Sequence, residues 1–353
     1  MTMYDFYADT KTKPTAEMRK AVLECAVGDE QKDEDPTTSE LCARVAKLLG
    51  KEAAVFLPSG TMCNEIAIKV HTNPGDEVIC EQSCHIINFE TGGPAAISGV
   101  MIRAIEGSNG IFTADQVRAC IRPNSRYMPE STLLCVEQTA NMGGGAIWPL
   151  EQLDNVAKAA KDAGLATHMD GARLMNAVAK TGIPAARYAQ HYDTVWIDFT
   201  KGLGAPVGAV LAGTQDFIVQ AWRLKQRLGG AMRQSGIVAS MCLYALDHHV
   251  DRLAEDNDLA AHLGQEIAKL PMVSQVLPVE TNIVIFDLTS DAPNAAEVVE
   301  QLKAEGILTG AFGERRLRVV THIDVNPAAG EVLLQGLSRL LGTPNNEEVF
   351  NDA

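Results

Sequence analysis

The sequence predicts an α/β fold, with a mainly parallel sheet in a large domain and a smaller αβ domain after it. Three observations carry this. From about residue 53 to residue 212, short apolar runs alternate with amphipathic stretches at helical spacing. After residue 280 a shorter alternation of the same kind follows a long helical stretch. The length of 353 residues exceeds what one compact core of ordinary size takes up. The expected division is a large domain over 1–250 that includes a helical start, a small domain over 251–343, and a polar tail over 344–353 that frays.

Two helices open the chain. Pro14 suits a first helical turn, Met18, Val22 and Cys25 follow at helical spacing, and Gly28 stops the run. Thr37 and Glu40 have the spacing of a capping box ahead of Leu41, Val45, Leu48 and Gly50. Strands are then expected at 53–57, 77–80, 133–137, 166–169, 194–199 and 207–212, with helices at 61–71 and 150–163. Helical patterns fill 214–270. The small domain has strands at 282–288 and 316–321, a helix at 295–304 and a closing helix.

Composition excludes several classes. A net charge of -15 works against nucleic acid, whose phosphates need clustered Lys and Arg. The start has no basic segment followed by an apolar run, and no later run reaches the length of a membrane span, so a cytoplasmic protein without a membrane partner is expected. The eight cysteines are scattered and read as reduced. Cys80, Cys84 and His85 have a loosely metal-like spacing but lack a second pair, so no metal site is expected.

In an α/β sheet, ligands gather beyond the carboxyl ends of the strands. Lys201 follows an apolar run there, with Gly202 and Gly204 behind it. A lysine so placed is suited to a Schiff base with a carbonyl cofactor, against the alternative of a surface loop lysine. Asp170 ends another apolar run and suits a cationic ring nitrogen, or else the cap of the next helix. One helical crossover separates the two residues, which would bring both to one sheet edge. Ser59, Gly60 and Thr61 enter a helix after a strand, where free N–H groups hold a phosphate or serve as an ordinary cap. The glycines at 202, 204 and 208 are no dinucleotide fingerprint, because a strand follows and Pro206 interrupts them. His85, ahead of Phe89, is placed to stack on a cofactor ring or move a proton, or is an inert histidine. Arg318 lies on an apolar strand and, with Arg173, is a candidate for a substrate carboxylate or for an internal ion pair.

These residues and their neighbours resemble the L-threonine aldolase family, in the β-eliminating-lyase branch of fold-type-I pyridoxal-phosphate enzymes. The likeness runs through Ala8-Asp9-Thr10, Glu34-Asp35-Pro36-Thr37, Pro58-Ser59-Gly60-Thr61-Met62, Gly143-Gly144-Gly145, Asp170-Gly171-Ala172-Arg173, the run from Lys201 to Gly208, Met232-Arg233-Gln234 and Val320-Thr321-His322. It implies a large domain with a seven-stranded sheet and pyridoxal 5′-phosphate as cofactor. Lys201 would hold that cofactor covalently, Asp170 would face its ring nitrogen and His85 would stack on the ring. Ser59, Gly60, Thr61, Thr200, Arg173 and Arg233 would complete the cofactor set, and Arg173, Arg318 and Phe89 would meet the substrate. It also implies a homotetramer with shared active sites. The expected reaction is cleavage of a small β-hydroxy-α-amino acid to glycine and an aldehyde, with β-elimination, racemisation or transamination on the same cofactor as rivals. A non-catalytic cofactor-binding protein is the rival from another class.

Three positions depart from the family pattern. Ala8 stands where many relatives have serine, and Gln31-Lys32-Asp33 replaces Val-Tyr-Gly. Gln138-Thr139-Ala140-Asn141-Met142 replaces Asn-Thr-His-Asn-Arg, which removes a second histidine.

Overall fold

The computed structural model describes residues 3–343, so the expected frayed tail lies outside the described residues. By contacts the chain divides into two units, one over 12–254 and one that joins 3–11 to 255–343. Residues 3–11, placed by sequence with the large domain, thus group with the C-terminal unit. The reason is pairing: strand β1 (Tyr4–Asp5) lies parallel to the strand at Ile307–Leu308.

The unit over 12–254 is built on seven strands: β2 (Ala53–Leu57), β3 (Glu77–Glu81), β4 (Met101–Ile105), β5 (Ser131–Glu137), β6 (Ala166–Gly171), β7 (Thr194–Asp198) and β8 (Ala209–Gly213). Their order is β2-β8-β7-β6-β5-β3-β4. β8 runs against both neighbours and the remaining pairs are parallel. Parallel strands covered on both faces read as unbroken apolar runs, and Val195, Trp196 and Ile197 of β7 are at most 2% exposed. β4 was not expected from the sequence. It is an edge strand paired only with β3, and most of its residues stay partly exposed, so its apolar signal is weak.

The helices begin where local chemistry allows, with two changes from expectation. Helix α1 (Ala16–Glu24) is capped by Thr15, whose side chain accepts Met18 N–H, so Pro14 precedes the helix. Helix α2 (Pro36–Leu49) is capped by Asp35 with Pro36 in the first turn, not by Thr37. Thr37 instead donates its hydroxyl to Ala26 O at 2.7 Å. Helix α3 (Gly60–His71) starts from Ser59, and the short helix α4 (His85–Asn88) follows β3. The helical stretch after residue 214 is three helices, Gln215–Arg227, Gly236–His248 and Leu253–Ile267.

The other unit holds β9 (Val273–Val276), β10 (Ile283–Leu288), β11 (Ile307–Leu308), β12 (Gly310–Ala311) and β13 (Arg316–Val320). Four of them form an antiparallel sheet in the order β12-β13-β10-β9. Helix Ala295–Ala304 has a full capping box of Asn294 and Glu297. Its core gathers Phe6, Leu263, Phe286, Leu302, Leu333 and Leu337, all fully buried. Among the described residues, no helix is long and apolar enough to cross a membrane.

Candidate active site

β7 delivers Lys201. The strand ends at Asp198, and the chain turns because Thr200 donates both its N–H and its hydroxyl to Asp198 Oδ1, at 2.8 and 2.7 Å. The turn points Lys201 Nζ back to Asp198 Oδ2 at 2.7 Å. Both side chains are largely buried, 14% exposed for Lys201 and 5% for Asp198. The lysine is therefore no solvated loop residue. Its Nζ lies 5.7 Å from the Trp196 ring centroid, and its carbonyl accepts the Thr12 hydroxyl at 3.0 Å. Gly202 fits because a Cβ there would stand 2.7 Å from a Leu253 methyl.

Asp170 stands one residue before the end of the adjacent strand β6, where its register partner on β7 is Trp196. Its carboxylate accepts Ala172 N–H at 3.0 Å and the Asn64 amide at 2.9 Å. It does not cap the following helix, Leu174–Thr181, whose cap position is Arg173. Asn64 joins the two strand ends, since its Oδ1 accepts Trp196 Nε1 at 2.7 Å. The opposite neighbour of Asp170 on β5 is Glu137. Burial and the Asp170 charge push the Glu137 carboxyl up to about 7, against the N–H bonds it accepts from Asn141 and His85.

His85 starts α4 with its N–H on Glu137 Oε2 at 2.7 Å. Its Nδ1 faces Glu90 Oε1 at 2.8 Å, and its ring tilts against Phe89 at 5.5 Å between centroids. Burial works against a proton on this ring, but the bond to Glu90 and the charges of Asp170, Glu90 and Glu137 outweigh it and raise its pKa. Phe89 remains 45% exposed beside it. A cavity of about 10 Å³, room for a single water, lies among Asn64, His85, Glu137, His168, Asp170 and the thiols of Cys80, Cys84 and Cys135.

The first turn of α3 is a helix start of the kind that can hold an anion. Ser59 accepts Met62 N–H at 3.2 Å and stays exposed, as does Thr61. Gly60 must lack a side chain, because a Cβ would lie 2.2 Å from the Trp196 ring. Arg173 is buried, with its N–H on Gln138 O at 3.2 Å and its guanidinium 3.4 Å from Asn141 Oδ1. The segment that departs from the family pattern therefore still supports this arginine. Ala140 is buried against Gly110 and Gly143. Arg233 has a side chain that is 61% exposed and pairs with Asp29 at 2.8 Å. In the other unit, Arg318 is 7% exposed on β13, stacks on Phe312 at 4.1 Å and reaches Tyr7 O at 3.4 Å.

The structure thus brings Lys201, Thr200, Asp170, His85, Phe89 and Gly60 around the ends of β7 and β6 and the adjoining helix starts. Four residues there had no place in the sequence reading: Asn64, Glu90, Glu137 and Asp198. Each had a signal, a polar residue inside or next to an apolar run, and each is buried to within 8%.

The description of the family model that matches residues 5–291 is β-eliminating lyase. The chain is 36% identical over 342 residues to the probable low-specificity L-threonine aldolase 2 of Arabidopsis thaliana, covering 95% of this chain and 96% of that one. It is 37% identical over 325 residues to the low specificity L-threonine aldolase of Escherichia coli (strain K12), covering 92% and 95%. Among solved structures, the Leishmania major threonine aldolase superposes with a TM-score of 0.83 at 20% identity, covering 96% of this chain and 100% of that one. A mutant aspartate aminotransferase of Thermus thermophilus gives 0.74 at 15% identity, covering 97% of each. At such identities the structures speak to the fold alone, and it is that of the fold-type-I pyridoxal-phosphate enzymes. Family model and relatives agree across nearly the whole length: the chain belongs to the β-eliminating lyases, and among them to the threonine aldolase family.

Proposed function

We propose that this chain uses pyridoxal 5′-phosphate, held on Lys201, to cleave L-threonine, L-allo-threonine and related β-hydroxy-α-amino acids into glycine and an aldehyde. The observation that carries the reading is the meeting of Lys201 and Asp170 at the ends of neighbouring strands, joined through Trp196 and Asn64. The residues fit the cofactor: an amine on a buried turn, a carboxylate with two N–H donors on the next strand, and an open helix start with a required glycine. When bound, the cofactor supplies an electron sink for the electron pair left on Cα.

The protein residues do the rest. Asp170 places a negative charge against the ring nitrogen. Ser59, Gly60, Thr61 and Thr200 hold the phosphate, with Arg173 and Arg233 completing the cofactor contacts. Arg173 and Arg318 hold the substrate carboxylate, and Phe89 borders the substrate side chain. His85, with Nδ1 committed to Glu90, offers Nε2 to the β-hydroxyl proton. Loss of that proton and cleavage of Cα–Cβ releases the aldehyde, and Cα takes up a proton to give glycine. The same reading includes a homotetramer with shared sites and a cytoplasmic location.

Purified protein incubated with threonine, allo-threonine and phenylserine is expected to yield glycine and the matching aldehyde. Ammonia and a keto acid without glycine would replace this reading by β-elimination. Lys201→Ala is expected to lower turnover by at least about 10³-fold, the loss of a covalent catalytic step. Undiminished turnover in that variant would remove Lys201 from the mechanism.

A further inference from the structure

Helix α3 carries Asn64 and Glu65 inside an apolar run, and both are buried. Buried polar groups persist only with partners. Asn64 has all of its own. Its Nδ2 donates to Glu90 Oε1 at 2.7 Å and to Asp170 Oδ2 at 2.9 Å, and its Oδ1 accepts from Trp196 Nε1 at 2.7 Å and His168 Nε2 at 3.1 Å. Glu65 is different. It is 3% exposed, yet neither of its oxygens meets an N–H or O–H donor among the described residues, and neither does Oε2 of Glu90. Space has been kept for it: a Cβ on Gly93 would lie 1.8 Å from Glu65 Oε1. Gly93 has an ordinary helical backbone, so the glycine serves room and not backbone freedom.

Two ionised carboxylates buried side by side, with three oxygens lacking donors, would be strongly unfavourable. One proton eases the fault, because a Glu65 carboxyl that carries it becomes a donor for Glu90 Oε2, which joins two of the three oxygens and leaves a single negative charge.

We propose that Glu65 and Glu90 share a single proton, and that this pair is the positioning element behind His85 and, through Asn64, behind Asp170. The proposal rests on the role given to His85 above. The proton stays within the pair, which carries one negative charge instead of two. Glu90 Oε1 remains an acceptor for His85 Nδ1–H at 2.8 Å, which fixes the tautomer and leaves Nε2 with its lone pair. Burial, the Glu90 charge and the shared bond push the Glu65 carboxyl up to about 8. Other groups bear on the same network. Asp170 of β6 and Glu137 of β5 face His85, while Asp170, Asp198, Glu90 and Lys201 face the Cys63 thiol of α3. Lys225, from helix Gln215–Arg227, faces Cys63 as well and pairs with Glu30. His168 of β6 meets Asn64. Above about pH 8 the pair gains a second negative charge directly behind His85.

The test is nuclear magnetic resonance of the full-length, cofactor-loaded protein with labelled histidine rings, of which there are eight. His85 is assigned through His85→Gln. Its ring signals are expected to show, besides their own titration, a second inflection near pH 8 that Glu65→Gln removes. Glu90→Gln is expected to weaken proton binding by His85 about tenfold, one unit of pKa. A wild-type ring with no inflection near pH 8, or an inflection that survives Glu65→Gln, overturns the proposal. Should the variants fail to fold, the infrared carbonyl band of a protonated carboxyl group in wild-type protein is expected to persist beyond the loss of the Glu137 proton near pH 7 and to vanish near pH 8. Its absence at neutral pH overturns the proposal equally. None of these readouts needs turnover: an inflection without aldehyde formation sinks the functional reading alone, and aldehyde formation without an inflection sinks the shared proton alone.

Discussion

His168 of β6 is fully buried, with Nδ1 on the Thr194 hydroxyl at 2.8 Å and Nε2 on Asn64. Burial, then the neighbouring His71, pushes its pKa down to about 3. In the unfolded chain this ring protonates near pH 6.5 and in the folded chain it resists, so its contribution to stability is complete above about pH 6.5 and is lost as pH falls. The loss is about 1.4 kcal/mol per pH unit, or on the order of 2 kcal/mol by about pH 5. Urea unfolding at several pH values is expected to show this slope, and His168→Gln, which keeps a donor for Asn64, is expected to flatten it. An unchanged slope in the variant would assign the acid sensitivity to other groups. At this scale the sequence exposed Lys201 and Asp170, because each directly follows a run of apolar residues. It hid Asn64 and Glu90, which meet across 26 residues, and Asn64 lies 106 residues from Asp170, so their partners are set by tertiary structure.

Asp35 shows how a helix start becomes a junction of elements. It caps α2 through Thr38 N–H at 2.9 Å and also accepts Gly28 N–H at 3.1 Å and Gly236 N–H at 3.0 Å. Burial would raise its pKa, but the N–H groups of Thr38, Gly28 and Gly236 outweigh it and hold the carboxyl below its ordinary value. An ordinary cap is worth about 1 kcal/mol. Asp35→Ala also leaves two further N–H groups without this acceptor, so the expected loss is about 2–4 kcal/mol, read from the urea midpoint. A loss near that of a simple cap would mean that Gly28 and Gly236 find new acceptors. The Asp35-Pro36 pair was itself a legible start signal. Thr37 with Glu40 offered a rival of equal local quality, and only the approach of Gly28 and Gly236 distinguishes them. β4 was missed for a related reason, since an edge strand with few buried residues lacks the apolar run that marked its neighbours.

Over the whole molecule, residues 3–11 and 255–343 are tied within one unit. Phe6 is fully buried in the core formed by residues after 255, and its N–H donates to Leu308 O at 2.8 Å. Phe6→Ala is expected to cost about 3–5 kcal/mol, as for other large-to-small core changes. Hydrogen exchange should show the loss first in β11, β13 and the helix Pro327–Leu341; exchange unchanged there would show that this unit holds together without Phe6. By itself the sequence determined most strands of the large sheet, the bodies of the longer helices and the placing of Asp170 and Lys201 at strand ends, because apolar periodicity and glycine placement are local properties. Tertiary structure decided which strand lies beside which, that residues 3–11 join the C-terminal unit, and that Asn64, Glu65 and Glu90 gather behind His85. Those outcomes depend on close packing between segments far apart in sequence, where the cost of leaving a buried polar group unpaired selects among arrangements that local patterns leave equal.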